Sequence, residues 1–180
     1  MQETDEPITT AMRGEYRDVL RGPDGGVLAD RGWQRNVIVA DCRRVLAAFL
    51  KGSPGTLGIQ GLLVGKGDPV WDSGVLPPPT AVVTALVDPS PHLVPAAQLT
   101  LDFLDGGVLS AAPTNRVQIV AKLGPGIPPW PDATHPAPTL REFALVATLG
   151  GASVLLNCVR HPAIVKDPSS TLDRTIWLTL

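Results

Sequence analysis

The chain has 180 residues, a net charge of −2 and only 18% charged residues. This length suits one domain with a substantial core, and the charge excludes a strong nucleic-acid binder, which needs a basic stripe to neutralise phosphates. Glycine and proline together make up about a fifth of the chain, which disfavours a helical bundle because proline breaks helix interiors.

The chain begins with the polar, acidic stretch "MQETDEPITT", which has no basic and apolar regions of a signal peptide. We predict a mobile segment over residues 1–13 and a single β-rich domain over residues 14–180. The longest apolar region, residues 145–159, is interrupted by Gly150 and Gly151 and is too short to span a bilayer. We therefore expect a cytoplasmic protein without membrane insertion.

A hairpin is predicted next, because "GEYRDVL" and "VLADRGW" flank the turn sequence "RGPDGG". Glycine supplies the positive φ that tight turns between antiparallel strands require. The same "DGGVL" stretch recurs at residues 105–109 after another apolar segment, so the same kind of turn is expected there.

The clearest helix pattern covers residues 41–51. Its apolar side chains recur at helical spacing and predict one buried face, formed by Cys42, Val45, Leu46, Phe49 and Leu50. Gly52 and Pro54 end the helix. Arg43 and Arg44 fall on the other face, where we interpret them as solvated charges and keep them as candidate interface residues.

From residue 59 onward the sequence predicts mostly strands, separated by turns rich in glycine and proline. Regular strand spacing of this kind indicates an antiparallel β-sandwich that carries one amphipathic helix near its N-terminal end. The predicted strands are "GIQGLLVGKGD", "TAVVTALVD" (residues 80–88), "AQLTLDFL", "NRVQIVAKL", "LREFALVA", "ASVLLNCVR" and "DRTIWLTL".

A proline-rich loop at residues 124–139 is long for a connection inside one domain. Loops of this length are typically functional or disordered. Trp130 within it is a candidate interface residue, because a proline-flanked aromatic side chain loses little entropy on binding. The alternative, that Trp130 folds back over the domain's own core, stays open.

The residues that usually carry chemistry lack the required spacing. Ser153 lies outside any Gly-x-Ser-x-Gly pattern, and the three histidines have no partner at metal-ligand spacing. The "VGKGDP" stretch lacks the spacing of a phosphate-binding loop. Cys42 and Cys158 are interpreted as small buried hydrophobes, with a disulfide left open. We expect no catalytic site, cofactor or metal, and no enzymatic activity.

Arg141 and Glu142 form a charge pair at the head of an apolar strand. Because neighbouring strand residues point to opposite faces, the two side chains cannot readily form one site. We expect Glu142 to point out, together with Ala144 and Val146. Arg141 is a candidate interface residue that holds either a loop or a neighbouring subunit.

Several segments, taken in order, resemble a family of small phage tail and tail-fibre-associated proteins. The similarity runs through "GEYRDVLRGPDGGVLADRGWQRNVIVADCRRVLAAFLKG", "IQGLLVGKGDPVWD", "LREFALVA" and "DRTIWLTL". This resemblance implies a structural component of a phage tail or a contractile injection particle, at the baseplate or as a fibre attachment protein. Its partners would be other tail, baseplate or fibre subunits, and it would be oligomeric in the virion or tail-like particle.

A second hypothesis is a stand-alone carbohydrate- or protein-binding β-sandwich module. A sugar-binding surface usually presents clustered aromatic side chains. Trp33, Trp71, Trp130 and Trp177 are scattered along the chain, which makes this hypothesis less favoured than the tail-particle one.

Overall fold

The computed structural model describes residues 12–180, and most of them lie in antiparallel strands. Of the predicted mobile segment, residues 1–11 lie outside the described residues, and the first strand already begins at Arg13. The strands are β1 (Arg13–Arg21), β2 (Val27–Ile38), β3 (Leu57–Gly65), β4 (His92–Pro95), β5 (Leu99–Asp105), β6 (Val108–Ser110), β7 (Arg116–Leu123), β8 (Thr139–Leu149), β9 (Ala152–Leu155), β10 (Asn157–Val165) and β11 (Thr171–Thr179).

The one α-helix among residues 12–180 is α1 (Ala40–Lys51), in agreement with the sequence pattern. Gly52 ends it in the left-handed conformation, with φ of 68°, where a side chain would be strained. The predicted apolar face is only partly correct. Cys42 and Val45 are buried, whereas Phe49 is 46% and Leu50 is 92% exposed.

The strands follow one hydrogen-bonded path, in the order β4-β3-β8-β10-β2-β1-β11-β7-β5-β6. Strand β9 lies outside this path and pairs with β8. The connection in the middle is narrow: β2 and β10 pair only through Ile38 with Asn157 and Val37 with Cys158. Beyond it, the Arg31 guanidinium donates to the carbonyls of Pro162 and Ala163, both at 2.7 Å. The path therefore divides there into two layers.

The two layers pack face to face. The Tyr16 ring on β1 meets the Phe143 ring on β8 edge-on, with centroids 5.1 Å apart. Buried apolar side chains from both layers form one core, including Leu62, Leu145 and Ile176. The predicted mainly β, antiparallel architecture with one amphipathic helix is confirmed, and its layers are two parts of one continuous sheet.

The outer faces of the two layers differ. Behind β8 and β10, a second apolar cluster includes Ala144, Val146 and Cys158, with Val83 and Leu86 packed against it. We call this layer, β4-β3-β8-β10 with β9, the covered layer. The other layer, β2-β1-β11-β7-β5-β6, has polar and half-buried side chains on its outer face, and we call it the open layer.

The strand predicted at residues 80–88 is wrong, because this segment forms turns and bends. Two of its apolar side chains, Val83 and Leu86, do pack, but they cover the outer face of the covered layer instead of pairing in the sheet. The Ala81 carbonyl accepts a hydrogen bond from Ala40 at the start of α1. Tertiary packing has overridden β-propensity here.

Candidate functional site

Arg141 and Glu142 hold two different loops from adjacent positions at the start of β8. The Arg141 guanidinium forms a forked ion pair with Asp72, with Nη2 2.6 Å and Nε 3.0 Å from the carboxylate oxygens, and it donates to the Lys66 carbonyl at 3.0 Å. Of the two roles left open for Arg141, the structure shows the contact to a loop. This interaction also lowers the pKa of the Asp72 carboxyl.

Glu142 lies on the opposite face of the strand, as strand alternation predicts, but that face is closed. Its carboxylate accepts hydrogen bonds from the amides of Val87, at 3.0 Å, and Asp88, at 2.7 Å, and the residue is fully buried. Burial raises the pKa of Glu142, opposed by the two backbone donors. Glu142 does point to the outer face of the sheet, but the segment that carries Val87 and Asp88 covers this face, so the expected exposure is wrong.

The proline-rich loop is fixed to the body of the protein through His135 and Trp130. The two rings stack with centroids 4.0 Å apart, and Trp130 is only 5% exposed. Nδ1 of His135 lies 2.9 Å from an oxygen of Asp132, and Nε2 lies 3.0 Å from Asp88. Trp130 thus covers the protein's own core, which was the alternative left open, and it offers little surface to a partner.

Asp88, Lys66 and His135 belong to three different loops, which their hydrogen bonds join. Asp88 accepts from the Lys66 amide at 2.8 Å, and the Lys66 ammonium donates to the Thr134 carbonyl at 2.6 Å. Burial would raise the pKa of Asp132, but hydrogen bonds from Thr134 and His135 outweigh it and lower the pKa to about 2. These charged groups have structural partners within the chain.

Arg43 and Arg44 are both exposed on α1, as predicted. Arg44 pairs with Asp41 one turn earlier, at 2.7 Å. Arg44 also lines an open groove, together with Lys51, between the helix and the β8–β9 turn. An i, i+3 pair on a helix surface contributes little to stability, so both arginines stay available as interface candidates.

An apolar groove lies beside α1, which we call the α1 groove. Its volume is about 120 Å³, and its walls come from the helix, the start of β3, the start of β7 and the end of β11. The lining is apolar and includes Leu46, Phe49, Ile59, Val117, Leu178 and Leu180. Phe49 belongs to this wall, and Leu50 next to it is almost fully exposed.

A buried charge cluster, which the sequence patterns did not predict, joins the inner faces of the two layers. Arg174 on β11 donates to both oxygens of Asp18 on β1, each at 2.7 Å, and its Nη2 lies 3.1 Å from Nε2 of His161 on β10. Its guanidinium carbon is 3.8 Å from the Phe143 ring centroid. Strand alternation could have revealed it, because Arg174 falls between inward-facing Leu172 and Ile176.

The fold brings together two tryptophans that are 144 positions apart in the sequence. Trp33 on β2 and Trp177 on β11 both lie on the outer face of the open layer, with ring centroids 4.1 Å apart. Trp71, in contrast, is buried under the Arg160 guanidinium. The premise that the tryptophans are scattered therefore holds for the sequence and fails for this pair in space.

The remaining candidate features lie within residues 12–180. Cys42 and Cys158 are buried and unbonded, and burial raises the pKa of Cys158 to about 11. Within that range, no group of three or more His, Cys, Asp or Glu side chains is placed to hold a metal ion. The helix among these residues is too short and too polar to cross a bilayer.

Comparison of the chain with protein-family models, with curated proteins and with solved structures gives no match.

Proposed function

We propose that this protein is a structural assembly component of a phage tail or a phage-tail-like contractile injection particle, at the baseplate or as a fibre attachment protein. The order of its sequence segments supports this role. The observation that carries the proposal is the α1 groove, where Leu50 is 92% and Phe49 is 46% exposed beside an apolar wall. In an assembly, a neighbouring subunit would cover this surface.

The charged anchors of the loops fit the same role. Arg141 fixes the loop that carries Lys66 and Asp72, and His135 fixes the proline-rich loop. Loops that are held in one conformation lose little entropy when a neighbouring subunit contacts them. The buried ionisable groups described above hold loops or layers in place, which is what a subunit that works by contact needs.

The test is incorporation into particles. A tagged copy is expressed in cells that assemble the particle, which is then purified on a density gradient and examined by electron microscopy. We expect the protein to co-sediment with sheath, tube or baseplate proteins. Leu50→Ser should reduce incorporation by removing the apolar contact, and Arg141→Ala should reduce it by releasing the loop at residues 66–72.

Two controls accompany these variants. Lys122→Gln changes an exposed side chain on the open layer, far from the α1 groove, and should leave incorporation unchanged. Circular dichroism should show that each variant is folded. A wild-type protein that stays at the top of the gradient as a monomer would overturn the proposal, and wild-type incorporation of Arg141→Ala would remove the role given to Arg141.

A further inference from the structure

The outer face of the open layer carries an aromatic pair within a polar surround. Trp33 is 40% exposed and Trp177 is half-buried beside it. We define the tryptophan face as these two residues together with Glu15, Arg17, Arg35 and Gln118. All six lie at outward positions, because Glu15 is paired with Arg35 and Trp177, Arg17 with Trp33, and Trp177 with Gln118.

Both indoles are held in place by contacts within the fold. Nε1 of Trp177 donates to Oε1 of Gln118 at 2.9 Å, and the Arg116 guanidinium lies 5.5 Å from the Trp177 ring centroid. Trp33 rests against Trp177 at a tilt of 39°. A ligand that stacks on Trp33 therefore meets a fixed surface and pays little ordering entropy.

The surround of the indoles is polar and of mixed charge. Arg17 pairs with Asp30, while Glu15 and Arg35 lie across from each other beside Trp177. The side chains of Glu15 and Arg35 form no hydrogen bond with another residue of the described range 12–180. A surface that binds an apolar protein segment would have few charged residues at its centre. A surface that binds a polyanion would have basic residues without the carboxylates.

This combination fits the two kinds of surface of a pyranose ring. One face of the ring presents C–H groups, which pack against an aromatic ring whose face is electron-rich. The rim presents hydroxyl groups, which carboxylate, amide and guanidinium groups bind as planar, two-pronged partners. Trp33 offers the first kind of contact, and Glu15, Arg35 and Arg17 offer the second.

We propose that the tryptophan face is a glycan-binding site, in which one pyranose ring stacks on Trp33 and its hydroxyl groups bind Glu15 and Arg35. The site lies on the outer face of the open layer and shares no lining residue with the α1 groove, which is built from α1, β3, the start of β7 and the end of β11. Glycan binding is therefore independent of the assembly role, and each can fail without the other.

The experiment uses the full chain and defined oligosaccharides. A glycan array is followed by calorimetric titration with hexamers of β-1,4-linked glucose, β-1,4-linked N-acetylglucosamine and α-1,4-linked glucose. We expect binding to at least one glycan, weakened about tenfold or more in Trp33→Ala. Trp33→Tyr, which keeps an aromatic face, should retain most of the affinity, and Glu15→Gln should weaken it less than Trp33→Ala.

The controls separate the two roles. Leu50→Ser should bind the glycan like the wild type, while Trp33→Ala should still enter particles. Three outcomes would overturn the glycan site: no glycan on the array or in the titrations binds, Trp33→Ala binds as well as the wild type, or a single-stranded oligonucleotide binds more tightly than any glycan. If Trp33→Ala is unfolded by circular dichroism, Glu15→Gln decides instead: it should bind the glycan more weakly than Trp33→Tyr, and binding equal to the wild type would overturn the site.

Discussion

The covered layer and the open layer are built from strands of similar length, yet they use their outer faces differently. In the covered layer, Val83 and Leu86 pack on the outer face of β8. The Val87 and Asp88 amides bind Glu142, so this strand is buried on both sides and even Glu142 is enclosed. In the open layer, alternate residues of β1 and β11 stay half-exposed and are mostly polar. The covered layer therefore has an enclosed outer face, whereas the open layer keeps its outer face in contact with solvent.

The same contrast exists between the two faces of the open layer. On its inner face, the ion pair of Arg174 and Asp18 is almost fully buried. On its outer face, between the same two strands, Arg21 pairs with Asp173 at 2.7 Å, with 39% and 28% of the side chains exposed. A buried pair that loses one partner leaves an unpaired charge out of water, whereas an exposed one does not.

The largest expected effect comes from breaking the buried pair. Asp18→Asn should lower the free energy of unfolding by about 3–5 kcal/mol, because it leaves the Arg174 charge buried without a carboxylate. Arg21→Met, which breaks the exposed pair on the same strands, should lower it by less than about 1 kcal/mol. Urea denaturation measures both. Equal losses in the two variants would show that the inner and outer faces are energetically alike.

A smaller effect is expected from pH, through His161. Burial first, and then the nearby Arg174 charge, lower the pKa of His161 to about 3, so the folded protein keeps this ring neutral. Below about pH 6.5 the unfolded chain takes up a proton that the folded chain does not, and stability is lost as pH falls. Between pH 6.5 and pH 4 the loss should be about 3 kcal/mol.

His161→Gln tests this assignment. The glutamine amide oxygen can still accept from Arg174, but the side chain does not titrate in this range. Urea midpoints measured from pH 7 to pH 4 should therefore fall less steeply in the variant than in the wild type. The pKa of Asp18 is also lowered, but its contribution is lost only nearer its own titration below pH 4. Parallel curves for the two proteins would contradict the role of His161.

The smallest effect separates the outer faces of the two layers. Glu142→Gln replaces one accepting oxygen with an amide group and should lower the free energy of unfolding by about 1–2 kcal/mol. It should also speed hydrogen exchange at the amides of Val87 and Asp88. Lys122→Gln on the outer face of β7 should change stability by less than about 0.5 kcal/mol. An equal loss in both variants would mean that the hydrogen bonds between Glu142 and the segment at residues 80–88 contribute nothing to the free energy of unfolding.

Local patterns in the sequence predicted the local parts of the fold well. The α1 helix ends at Gly52 because the chain there needs a positive φ, and the first hairpin turns at Gly25, with φ of 81°, for the same reason. Such features depend on a few neighbouring residues. The antiparallel strands β5, β7, β8 and β11 were predicted equally well, because alternation of side chains is also local.

What depended on distant neighbours was not predictable. The segment at residues 80–88 has the composition of a strand but lies over the outer face of the covered layer, because the Glu142 carboxylate accepts hydrogen bonds from two of its amides. Phe49 and Leu50 carry a helical apolar pattern, yet no described part of the chain covers them fully. The Trp33–Trp177 pair exists only because β1 lies between β2 and β11, and strand order cannot be read from spacing.

The narrow joint between β2 and β10 means that side chains, more than backbone pairing, hold the two layers together. Backbone pairing across the joint is limited to two residue pairs, and Arg31 adds two side-chain hydrogen bonds. The layers are otherwise joined by their shared apolar core and by the contact of Arg174 with His161. Cohesion between the layers therefore depends on interior side chains that lie outside the joint.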